Sequence, residues 1–313
     1  MGAIGHDGGH FAVSRQASVN QWCVWAMSLI ANPIVWQHQH TYGHHSYTNE
    51  FDYDPDLHHF HLMLRVHERV PPNKRKYGKQ SSWLYVVYSF TFVAFATCVA
   101  IPLFMLKKGH LYGVVNFQDK IRPMRNIGLQ LHVAIYGLIV IVAPLFTNSS
   151  PLHGLLAVYV HIATMGVLFG LFSQINHLTE SALHSDMHTR LSKNGKNCDS
   201  SSDSSSKSLA NAVSVKDSWA ATQVETSNNF ANSSLLSYIL SNGLNFQIEH
   251  HLFPGLNHCH LHHIAPVVRQ TCEEYGVNYK CYDSWGEVMS ALLDWFAKLS
   301  VVQPDEYTKL VLQ

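Results

Sequence analysis

Histidine occupies 23 of the 313 positions, more than Lys and Arg combined at 21. Three groups have a spacing that can gather imidazoles at one point. His6-Asp7-Gly8-Gly9-His10 sets two at i and i+4, and His40-Thr41-Tyr42-Gly43-His44-His45 repeats that interval with a third beside it. Gln247-Ile248-Glu249-His250-His251 sets an amide and two imidazoles at i, i+3 and i+4. On a helix each interval returns its side chains to one face, about one turn apart. His177, after Asn176, adds another imidazole. A catalytic zinc takes three protein ligands and a water, and a facial-triad iron takes two His and a carboxylate. Eight imidazoles (His6, His10, His40, His44, His45, His177, His250 and His251), with Gln247 as a weaker ninth donor, suit two metal ions of about four protein ligands each. Imidazole accepts iron, zinc, copper and nickel, so the residues alone do not name the metal.

A lone His-x-x-x-His on a helix carries little meaning; three such groups and His177 in one chain carry more. The other histidines read differently. His58, His59, His61 and His67 follow the second group in a charged loop and read as surface residues. His258, His260, His262 and His263 follow Pro254-Gly255 and read as a loop and helix start. His110, His132, His153 and His161 read as interfacial or packed. The six cysteines (Cys23, Cys98, Cys198, Cys259, Cys272 and Cys281) form no C-x-x-C pair, which fits reduced, scattered thiols. Charged residues are 13% and the formal net charge is zero, against roughly 25% charged in ordinary soluble domains. That composition excludes a basic nucleic-acid-binding face.

The elements that must position these residues are apolar. Trp83–Leu106, Ile127–Phe146 and Leu152–Ile175 are each long enough to cross a bilayer as a helix, which takes about 20 residues. Basic flanks at Lys74–Lys79, Lys107–Lys108 and Lys120–Arg125 accompany them. Trp22–Trp36 is shorter and reads as interfacial, with Trp22, Trp25 and Trp36 at headgroup depth. Ser192–Lys216 reads as a disordered Ser-rich insertion. Val288, Leu292, Trp295 and Leu299 fall at helical spacing. Met1–His10 has neither the basic nor the apolar region of a secretory signal. One metal site requires all three groups on one side of the membrane, yet three crossings separate the second from the third. One segment must therefore not cross, and Trp83–Leu106, interrupted by Pro102, is expected to re-enter or to lie along the interface. Residues 127–146 and 152–175 then form a transmembrane hairpin turning at Asn148–Pro151, and basic residues beside the groups point to a cytosolic site.

These residues resemble the membrane fatty-acid desaturases, and within them the front-end type. His6–His10 and His40–His45 are similar to the family's first and second histidine boxes. Gln247–His251, continued by Leu252-Phe253-Pro254, is similar to the third, and glutamine in place of its first histidine marks the front-end group. Asn49 with Asp52–Asp56, Gln174–His177, and Trp219 with Gln223–Ser227 add to the likeness, which runs from His6 to about Tyr279. The resemblance implies one all-α desaturase domain over residues 1–313, a multi-pass helical membrane protein whose cytosolic histidine-rich cap holds two irons. It implies O2 as oxidant, electrons from a separate cytochrome b5 and its NAD(P)H reductase, and a polyunsaturated acyl lipid or acyl-CoA as substrate. The product would gain a cis double bond between an existing one and the carboxyl end (Δ4, Δ5, Δ6 or Δ8 type), in the endoplasmic reticulum. Asp7, Glu249 and Asn176 would support ligands without binding metal, and no catalytic residue is expected beyond the ligands. The family carries helices before the first box, and front-end members carry a cytochrome b5 domain with His-Pro-Gly-Gly. Here the first box begins at His6, so an N-terminally incomplete copy is expected. Sphingolipid desaturases and lipid hydroxylases share the site and are the alternatives, beside an inactive remnant and, more distantly, a metal transporter.

Overall fold

The structure, a computed structural model, describes residues 2–183 and 218–301; the Ser192–Lys216 reading lies outside them. The described residues are mainly helical, as expected. The strands are two short ladders, His110–Leu111 antiparallel to Val115–Asn116 and Asn229–Phe230 parallel to Cys281–Tyr282. They form two compact units, one of residues 2–175 with 289–301 and one of residues 176–183 with 218–288.

In the first unit the helix Gly2–Gly9 lies against Ala17–Val24. The two glycines between His6 and His10 make that approach possible. A Cβ on Gly8 would stand 2.6 Å from Cys23 Cβ and 2.7 Å from Asn20 O, and one on Gly9 would stand 2.2 Å from the Trp36 ring. Asn32 then starts the second box: its Oδ1 accepts from the Ile34 and Val35 N–H groups, both at 3.1 Å, ahead of Pro33. Asparagine at the cap and proline in the first turn favour a helix start there. From Gln37 to His44 the helix widens into π geometry, with His45 N–H bonded to His40 O at 3.2 Å.

Among the described residues, three helices are long and apolar enough to cross a membrane: Trp83–Lys108, Arg122–Thr147 and Pro151–Gln174. The second and third keep Leu131, Leu138, Ile139, Phe146, Leu152, Leu155 and Leu156 outward. Apolar surface on that scale fits lipid and not water. Where these helices meet, glycine lets backbones touch, as small residues do between membrane helices: Gly154 at Pro144, Gly166 at Phe90 and Thr91.

Trp83–Lys108 is helical from end to end with no reversal of the chain, but it is not straight. Phe92 breaks it, and Ala96–Ala100 widens it just before Pro102, whose missing N–H the wider turn accommodates. One short turn holds both of its ends. Tyr85 Oη, at the start, donates to Met63 O at 3.1 Å; Tyr112 Oη, just past the end, lies 3.3 Å from His59 Nδ1. Met63 and Leu64 N–H both bond to Phe60 O, so His59–Met63 is itself a tight turn. A straight rod from Tyr85 to Lys108 would extend about 35 Å at 1.5 Å per residue.

Two sequence readings change and one holds. Trp36 is buried beside His6, His10 and His40, so it forms part of the site and does not lie at headgroup depth, whereas Trp22 is 78% exposed. His58, His59, His61 and His67 are half-buried around Phe51, Asp56 and Tyr112, because the acidic run folds back under them. Burial, and beside it His58 and Lys76, brings His61 down to about 4. Val288, Leu292, Trp295 and Leu299 do share the buried face of Trp285–Ser300, as their spacing predicts.

Gly166→Val should lower the melting temperature measured in detergent, since its Cβ would meet Phe90 O and Thr91 O at 2.5 Å and overpacking costs about 1–3 kcal/mol. Gly137→Ala, with open space around it, should leave the melt unchanged. Equal melting of the Gly166 variant and the parent would contradict this packing.

Candidate metal centre

The first unit gathers five histidines. Donor nitrogens of His6, His10 and His40 lie within 4.8 Å of one another. His40 Nε2 and His45 Nε2 are 3.3 Å apart, and the His10 and His45 ring centroids 4.5 Å. In an α-helix His45, five residues past His40, would point away from it. The π-widened turn adds one residue to the circuit, so His40, His44 and His45 share a face. Trp36 stacks on His40 with ring centroids 4.7 Å apart and fixes its plane.

His44 is aimed by a carboxylate. Its Nδ1 lies 3.0 and 3.2 Å from the two oxygens of Asp54, which is itself held by the N–H groups of Asn49 at 2.8 Å and Asp56 at 2.9 Å. With Nδ1–H spent on Asp54, Nε2 carries the unshared pair and is the donor atom. Burial opposes a charge on His44, yet Asp54 and Asp56 outweigh it and raise its pKa to about 9. A metal at Nε2 must displace that proton. His10 is the reverse: burial first, then His6, hold its pKa well below the usual value and keep it neutral and ready to ligate. His40, His44 and Asp56 also lie within 4.8 Å of one another. The His44 atom facing Asp56, at 3.8 Å, is the same Nδ1 that bonds Asp54, so Asp56 backs the histidine and does not complete a triad. Asp7 stands 3.4 Å from His6 Nδ1, a long contact between neighbours in the chain.

The second unit holds the third box on the helix Gln247–Leu252, with Gln247, His250 and His251 buried. His177 Nδ1 donates to Thr226 O at 3.0 Å, and His251 Nδ1 to Gln223 Oε1 at 2.8 Å. Both Nε2 atoms therefore carry their unshared pairs inward, and they stand 3.1 Å apart. Two such pairs at that distance repel, and a metal ion or a proton before them relieves the repulsion. Gln247 is fixed by Asn176, whose Nδ2 donates to Leu244 O at 2.9 Å and to Gln247 Oε1 at 3.0 Å. The Gln247 amide nitrogen is left facing His177 Nε2 at 2.9 Å. Asn176 thus ties the side chain of Gln247 to the backbone at Leu244. Gln247 in this pose donates a hydrogen bond to a ligand and offers no oxygen to a metal.

Glu249 corrects one expectation. Its two oxygens accept from Asn229 Nδ2 and Tyr279 Oη, both at 2.8 Å, so it orients no imidazole. Burial pushes its pKa up. Asn229 Oδ1 also accepts the Ile248 N–H at 2.9 Å, which pins the box helix from behind. Sequence reasoning did not assign roles to Asp54, Trp36, Gln223, Thr226 or Asn229. Asp54 lies in an acidic run ten residues from His44, and Thr226 acts through a backbone carbonyl that no side-chain pattern reports.

Membrane-length helices and converging imidazole nitrogens define a membrane protein with a site that can hold metal. The fatty acid desaturase family model matches residues 1–283, and the chain belongs to that family of oxidoreductases. It is 25% identical over 307 residues to a sn-1 linoleoyl-lipid 6-desaturase of Arthrospira platensis, covering 95% of this chain and 73% of that one. It is 29% identical to an acyl-lipid (8-3)-desaturase of Physcomitrium patens, covering 97% of this chain and 58% of the relative. With an acyl-lipid (7-3)-desaturase of Diacronema lutheri it shares 28% identity, over 95% of this chain and 60% of that one. The chain thus spans from about three fifths to three quarters of these relatives. No solved structure matches it.

Asp54→Asn removes the charge behind His44 and should lower metal content at limiting metal, since such partners are worth about 10–100-fold in affinity or activity. His59→Ala, outside the donor set, should leave metal content at the parent level. Parent-level metal in the Asp54 variant would contradict its role.

Proposed function

We propose that the chain carries the active site of a front-end acyl-lipid desaturase, which places a cis double bond between an existing one and the carboxyl end of a polyunsaturated chain. The observation that carries this reading is the third box: a glutamine held by Asn176 among imidazoles whose Nε2 atoms turn inward. The relatives named for 6-, (8-3)- and (7-3)-desaturation support it. His6, His10, His40, His44, His45, His177, His250 and His251 would hold two irons, with Gln247 beside them. When bound, the irons supply the oxygen activation that breaking unactivated C–H bonds requires. Overall, one O2, two electrons and two protons remove two hydrogens from the acyl chain and leave two waters. The electrons would come from a separate cytochrome b5 and its NAD(P)H reductase.

The chain's residues aim the donors, keep His10 neutral and exclude water with Trp36 and the packed histidine rings. No Ser, Cys or carboxylate nucleophile is required. We read Trp83–Lys108 as lying along the membrane interface without crossing, because both of its ends meet the same His59–Met63 turn. Arg122–Thr147 and Pro151–Gln174 would then cross, with the donors facing the cytosol from the endoplasmic reticulum.

The test is expression in yeast, which supplies cytochrome b5 and its reductase, with polyunsaturated C18 and C20 acids fed. Gas chromatography should show a product with one more double bond toward the carboxyl end, absent from cells carrying His250→Ala. Iron-loaded protein that forms no such product, with or without an added upstream segment, would overturn the reading.

A further inference from the structure

The short helix Leu235–Leu240 is turned inside out. Ser237 and Ser241 face inward and are fully buried, while Leu235, Leu236, Ile239 and Leu240 face outward at 73, 64, 60 and 45% exposure. The inward serines are engaged. Ser237 Oγ accepts the Trp285 Nε1–H at 2.6 Å; Ser241 Oγ donates to Asn245 Oδ1 at 3.3 Å and accepts the Asn245 N–H at 3.1 Å. A helix facing water carries the opposite polarity. Four large aliphatic side chains at i, i+1, i+4 and i+5 form one continuous stripe, and a stripe of that kind is stable only against an apolar medium.

The chain itself says which medium. Asn176 lies two residues past the end of the membrane-length helix Pro151–Gln174, and its Nδ2 donates to Leu244 O, four residues past Leu240. Leu235–Leu240 is therefore tethered where the chain leaves the membrane. We propose that it is a foot that dips into the interfacial layer of the bilayer and seats the third box at the level where a lipid-borne acyl chain arrives. Ser241–Asn245, with Gly243 at φ +81°, links the foot to Gln247 in a few residues. The inference rests on the membrane reading of the chain and goes beyond it, by giving the second unit its own contact with lipid.

The full chain, reconstituted in phosphatidylcholine vesicles, would carry a genetically encoded dansyl amino acid in place of Leu236, of Glu274 or of Leu138. Glu274 is exposed on the second unit, and Leu138 lies on the Arg122–Thr147 helix. With acyl chains brominated near the interface for the probes at 236 and 274, and near the bilayer centre for the probe at 138, the probe at 236 should emit to the blue and be quenched several-fold more than the probe at 274. Quenching at 138 but not at 236 would overturn the foot alone. Blue emission at 236 without quenching would also overturn it, since protein, such as a second copy, would then cover the stripe. Absence of quenching at both 138 and 236 would overturn the membrane reading together with the foot.

Discussion

A neutral imidazole offers a metal one nitrogen, and an acceptor at the other nitrogen fixes which one, a device the fold uses at the second box, at His177 and at the third box. Asp54 takes Nδ1–H of His44, the Thr226 carbonyl takes that of His177, and Gln223 takes that of His251. Each acceptor is buried and anchored, so the tautomer is set by the protein and not by the metal. A histidine whose Nδ1 partner is lost can present either nitrogen and rotate, and the donor set then loses its shape.

The local backbone is bent to the same end. The wide turn at Gln37–His44 lets His45 join His40 on one face, at the expense of regular α-helical hydrogen bonding. Gly8 and Gly9 let the first box approach Cys23 and Trp36 more closely than any residue with a Cβ allows. In the second unit, Asn229 ties the box helix to Glu249 and Tyr279, so that a carboxylate inside a histidine box is used for scaffolding. Polar side chains are buried densely here, and Asn229 binds Glu249, Tyr279 and the Ile248 N–H at once; the low dielectric strengthens such bonds.

The converging histidine groups, the apolar helices and the hairpin turn are legible in the sequence because each depends on local spacing: i and i+4 for the boxes, unbroken apolar length for the helices. The family likeness followed from the same residues. Asp54 was not legible, since an acidic run reads as solvated until the chain is seen to fold it under His44. Trp36 was misread for a related reason, because an aromatic at the end of a short apolar stretch suits either headgroups or a ring stack. Glu249 was misassigned because adjacency in sequence to His250 does not decide which way a side chain leaves the helix. The half-buried His58, His59 and His61 show the same gap: burial is a tertiary property, and a His-rich loop does not announce it.

The proposed function rests on two irons held by these histidines. Protein purified from cells grown on 57Fe, with iron counted per chain and Mössbauer spectra recorded, tests that proposal. Two irons per chain with nitrogen-rich ligation are expected, falling in both His44→Ala and His177→Ala. One metal per chain, zinc in place of iron, or iron content indifferent to either substitution would contradict it.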